Sequence, residues 1–148
     1  MTGTLSDYSE LKILEHLAGK TSFTMPAVVA IALVTTLPTD ASTGATLVEP
    51  STTGTAYARK TLTPSTDFAS AGSGQIQNAA IITMATATGN GWGAIVGWAL
   101  CDSASVGAGN VIAWGSINLP STTTPTTKTI LAGDTASFAV NDITITLD

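Results

Sequence analysis

Beyond Thr21 the chain is a succession of short apolar and β-branched runs, each cut off by a cluster of Gly, Asn, Asp or Ser, and this punctuation leaves no room for a long helix. Eight runs read as strands, at 28–36, 56–63, 79–85, 94–101, 111–118, 126–131, 136–140 and 143–147. Between them stand turn formers such as Ser42-Thr43-Gly44, Gly89-Asn90-Gly91, Gly107-Ala108-Gly109-Asn110, Ala132-Gly133-Asp134 and Asn141-Asp142. The last run alternates most cleanly, with Ile143, Ile145 and Leu147 on one face and Thr144 and Thr146 on the other, the mark of a half-buried antiparallel strand. Many short strands with no helices between them predict a mainly β fold, an antiparallel β-sandwich or jelly roll of about eight strands.

One segment breaks the pattern. From Ser6 to Ala18, apolar residues fall at Tyr8, Leu11, Leu14 and Ala18, with Ile13 and Leu17 widening the stripe at helical spacing. Ser6 or Asp7 suits the N-cap, acids crowd the first turn, and Gly19 can take the left-handed position that ends a helix. The spacing predicts an N-terminal amphipathic helical arm over 1–20 followed by a β-domain over 21–148. A helix this short is marginal alone in water, so it must dock on its own domain or on a neighbour.

Composition narrows the chemistry. Lys, Arg, Asp and Glu make up only 10% of 148 residues, against about 25% in an ordinary soluble domain. One His, one Cys and five Lys plus Arg leave little material for a catalytic site, so the chain reads as a structural or binding protein, not an enzyme, with no cofactor. The net charge of −5 argues against nucleic acid, whose phosphates are bound chiefly by Lys and Arg. No apolar run is long enough to span a membrane, and no secretory signal opens the sequence, which points to synthesis in the cytoplasm. Cys101 reads as a reduced core thiol at a strand end, and His16 as a surface or contact residue of the helix. Asp40, Asp102, Asp134, Asp142 and Asp148 lack the alternating spacing of a calcium loop and read as turn residues, so no metal is expected. Trp98 and Trp114 lie in apolar runs and read as core. Trp92, flanked by Gly91 and Gly93, is the candidate for an exposed aromatic contact.

Thr-x-Thr pairs recur, but at irregular spacing, so they are solvent-facing strand residues and not a repeat array. The Pro- and Thr-rich stretch 120–127 reads as an extended surface loop or edge where Pro blocks further pairing.

Several short motifs resemble a family of small tailed-phage virion proteins: Ser6-Asp7-Tyr8 opening a leucine-rich helix, Thr24-Met25-Pro26 before an apolar strand, Pro38-Thr39-Asp40, and Tyr57-Ala58-Arg59-Lys60. The resemblance continues through Asn78-Ala79-Ala80-Ile81, Trp98-Ala99-Leu100-Cys101-Asp102, Ala113-Trp114-Gly115 and Ala132-Gly133-Asp134-Thr135 to the closing 142–147. Cys101 stands where the family often has Phe. Proteins of this kind are labelled head decoration (cement), minor tail or tail-fibre proteins, and the resemblance implies a β-sandwich or jelly roll without enzymatic activity. Lacking a fibrous repeat or shaft, the chain is expected to be a capsid cement protein that bridges major coat subunits on the outer surface of the virion head, made in the host cytoplasm. The alternative is a tail or tail-fibre component that binds a host receptor. The expected partners are the major capsid protein or other virion proteins and further copies of the chain, as a dimer or trimer. The contact candidates are Tyr8, Leu11, Leu14, Leu17 and Trp92, with surface cations such as Arg59 and Lys60 contributing less than apolar anchors.

Overall fold

The computed structural model describes residues 1–118 and 124–147. Residues 120–123 of the expected Pro- and Thr-rich loop, and Asp148, lie outside the described residues. The fold is mainly β. Its elements are β1 (Thr2–Leu5), α1 (Asp7–Leu17), β2 (Val29–Val34), β3 (Lys60–Leu62), a one-turn helix α2 (Pro64–Asp67), β4 (Gln75–Gln77), β5 (Ile82–Thr86), β6 (Gly93–Ile95), β7 (Gly97–Cys101), β8 (Val111–Ser116), β9 (Lys128–Ile130), β10 (Thr135–Phe138) and β11 (Thr144–Thr146).

Seven strands form one sheet in the order β3-β2-β7-β8-β1-β11-β4, and two ribbons, β10-β5 and β6-β9, complete the β structure among the described residues. Each of the eight expected strands has a counterpart, but the run 94–101 divides at Val96 into β6 and β7, which belong to different sheets. The pairing is not purely antiparallel either: β11 runs parallel to β1 and antiparallel to β4. Leu147, expected on the inner face of the last strand, is 59% exposed because the strand ends at Thr146.

β2 and β7 carry apolar side chains on both faces because both faces are covered. Ile31, Leu33, Trp98, Leu100 and Ala113 pack with Ile82, Met84, Ile95, Ile130 and Phe138 of the two ribbons. On the opposite face Ala32, Val34, Ala99, Cys101 and Val111 form a second cluster with Leu47 and Trp114. Asn78, fully buried, pins the turns around this core: its Nδ2 donates to Ala80 O and Ala139 O at 2.8 and 2.7 Å, and its Oδ1 accepts from Ile143 N at 2.8 Å.

The segment 1–20, expected as a helical arm, opens with a strand that the sequence did not show. β1 lies inside the sheet, paired with β8 through Gly3↔Gly115, Thr4↔Trp114 and Leu5↔Ala113, and with β11 through Thr2↔Thr144. Glycine is required here. A Cβ on Gly3 would stand 2.5 Å from Trp98 Cη2 and 2.8 Å from Trp114 O, so the strand can approach the indole only without a side chain. Residues 1–5 therefore complete the sheet, and α1 leaves from a strand anchored on both sides.

Candidate functional site

α1 is fixed to the sheet by polar groups at its first turn. Ser6, the N-cap, accepts from Ser9 N, and Ser6 Oγ donates to Val111 O. Ser6 N and Ser9 Oγ both donate to Ile112 O, at 3.1 and 2.8 Å. These short side chains bring the helix against the backbone of β8 and turn its leucines outward. Leu11, Leu14 and Leu17 are 61%, 63% and 75% exposed, and Tyr8 is half-buried. Burying a leucine contributes about 1.5–3 kcal/mol, so the single chain leaves much of the helix's apolar stabilisation unused. Beside the leucines a groove of about 390 Å³ opens between α1 and the β1–β11 region, lined by Thr4, Leu5, Glu10, Ile13, Leu14, Leu17, Thr146 and Leu147. Of the residues expected to make contacts, the structure brings Tyr8, Leu11, Leu14 and Leu17 together on this one element.

Trp92 is not among them. It is 4% exposed, its Nε1 donates to Thr55 O at 2.9 Å, and its ring meets Tyr57 edge-on at 5.4 Å. Gly91 and Gly93, both at φ +74°, bend the backbone so that the indole points inward; the flanking glycines serve burial here, not display. Trp98 is fully buried, and Trp114 half-buried.

Arg59 is likewise no surface cation. Its side chain is 0% exposed, and that of its partner Glu49 2%, with Nη2 2.6 Å from Glu49 Oε1. Nε also donates to the Glu49 carboxylate at 3.1 Å, while Nη1 donates to Ser103 O and Ala108 O at 3.0 and 2.8 Å, and Nη2 to Gly44 O at 3.2 Å. One guanidinium thus ties together the loops at 44, 103 and 108. Burial disfavours its charge, but the hydrogen-bonded Glu49 carboxylate and the other groups facing it outweigh that, so its proton is held more tightly than usual. Tyr57 joins the network with its hydroxyl 2.8 Å from Glu49 Oε2 and accepting from Leu33 N at 3.0 Å. Burial first, and Glu49 second, push this phenol well above its usual range. The sequence signal was present but faint: a Glu and an Arg ten residues apart in a chain with few charges.

Cys101 closes β7 in full burial, which pushes its thiol up to about 12. An unfolded thiol ionises near 9.0, so between these values the unfolded chain binds fewer protons and stability falls as pH rises. Tyr57, ordinarily at 10.0, adds to the fall higher up. The melting temperature should decline from about pH 8.5 to about pH 11, and Cys101→Ala should flatten the first part of the decline. A flat profile for the parent protein would contradict the burial of both groups.

Of the acids expected at turns, Asp102, Asp134 and Asp142 accept from backbone amides. Asp102 takes Asn110 N and Nδ2 at 2.6 and 2.8 Å, Asp134 takes Leu131 N at 2.8 Å, and Asp142 takes Ala139 N at 2.8 Å. His16 Nδ1 accepts from Phe23 N at 3.2 Å. Among the described residues no three His, Cys, Asp or Glu side chains come together in a metal-binding group, and no helix is long and apolar enough to cross a membrane.

No curated protein matches the chain. The model of one family, the podophage GP4 fiber I protein gp80, matches residues 4–146. The match spans β1 from Thr4, the leucine-bearing helix and the sheet through β11, nearly all of the architecture just described. The chain belongs to the podophage GP4 fiber I protein gp80 family, a family of phage virion proteins.

Proposed function

We propose that this protein is a non-enzymatic structural component of a podophage fibre, held to its neighbours in the virion by the exposed leucine face of α1. The carrying observation is that face: Leu11, Leu14 and Leu17 stand in solvent on an element whose first turn is firmly anchored. A fold that spends buried polar groups on fixing the helix while leaving its apolar stripe uncovered fits an assembly part better than an isolated domain. The family's description favours a fibre over the capsid cement role that composition suggested. The chemistry agrees, because the buried charges Glu49 and Arg59 tie loops together and the acids Asp102, Asp134 and Asp142 are taken up as turn acceptors.

The test is to separate purified virions into heads and tail-and-fibre structures and to quantify the chain in each by mass spectrometry. The chain should fractionate with the fibres at a fibre-like ratio. Recovery on heads in constant proportion to the major coat protein would establish the cement role instead.

A further inference from the structure

The leucines of α1 are accompanied by an uneven distribution of charge. Asp7 and Glu10 occupy the first turn, whereas Lys20 follows the C-cap with its side chain 74% exposed and 3.6 Å from Glu15. Ala18, small and exposed, lies on the same side as Leu11 and Leu14 and leaves room for a partner's side chain. The groove against β1 and β11 runs beside the same leucines. One copy therefore carries both halves of a self-complementary surface, a ridge and the groove next to it, which is what a two-fold contact needs.

We propose that this surface pairs two copies of the chain, with their α1 helices packed antiparallel about a two-fold axis near Leu14. Leu14 and Leu17 of each copy enter the groove of the other. The inference rests on the reading of α1 as an assembly surface. Polarity selects the arrangement: antiparallel packing sets Asp7 and Glu10 of one helix beside Lys20 of the other and opposes the helix dipoles. Helices gathered parallel about a three-fold axis would instead bring the acidic ends together, where like charges repel.

Sedimentation equilibrium of the full chain tests this. The parent should be a dimer. Leu14→Glu should raise the dissociation constant about a hundredfold while leaving the circular dichroism spectrum unchanged, since Leu14 is 63% exposed in the single chain. Glu10→Lys and Lys20→Glu should each weaken the dimer several-fold, and combining them should restore it. Within one chain Glu10 lies in the first turn of α1 and Lys20 beyond its C-cap, at opposite ends of the helix, so restoration reports contact between copies. A monomer at all concentrations, a trimer, a dimer indifferent to Leu14→Glu, or failure of the double exchange to restore affinity would overturn the proposal. Monomeric chains that still fractionate with fibres would overturn self-pairing and leave the fibre role standing. A dimer found only on heads would do the reverse.

Discussion

Arg59→Ala should destabilise the protein by about 3–5 kcal/mol, because it strands the Glu49 carboxylate in a site with almost no access to water. It also leaves the carbonyls of Gly44, Ser103 and Ala108 without their shared donor. The size of the effect comes from what remains behind. Replacing both partners, as Glu49→Leu with Arg59→Leu, removes the uncompensated charge and should recover a large part of the loss. Arg59→Lys keeps the charge but not the fork that reaches three loops, so it should fall between the two. Urea unfolding of the four proteins measures this. A double variant no more stable than Arg59→Ala would show that the guanidinium's loop contacts, and not the pairing of the charges, dominate.

Trp98→Ala should cost about 3–5 kcal/mol, the range for removing a fully buried large aromatic. The reason lies in how β1 is seated. The indole fills the space that Gly3 and Gly115 leave empty: Cβ atoms added there would stand 2.5 and 3.0 Å from its ring. Removing the ring therefore opens a void under the joint between β1 and β8, and β1 carries α1. Amide hydrogen exchange should show protection falling most in residues 2–5 and at the start of α1. Loss spread evenly over the sheet would mean that β1 is not specially dependent on Trp98.

How far the sequence could be read is clearest at the N-terminus. The helix was legible because its signals are local and concordant: Ser6 is the N-cap, the helix runs Asp7–Leu17, and Gly19 takes φ +70°. The strand before it was not. Thr2-Gly3-Thr4-Leu5 is too short to show a period, and it is extended because β8 and β11 leave a slot that it fills. The same division explains the aromatic and charged residues. Trp98 and Cys101 sit in apolar runs whose burial follows from composition, and both are fully buried. Trp92 is placed by a distant partner, Thr55, that spacing along the chain does not reveal, and Arg59 by Glu49, to which the spacing points only faintly. The helix leucines show the converse: their stripe was evident, but its outward direction depends on Ser6 and Ser9 bonding to the backbone of β8.

The proposed fibre component is seated through the leucine face of α1. Cryo-electron microscopy of the intact virion tests it most directly, by locating the chain and resolving what lies against that helix. The chain should lie in the fibres, with Leu11, Leu14 and Leu17 covered by another polypeptide. Density for the chain on the head shell, or in the fibre with those leucines still facing solvent, would contradict it.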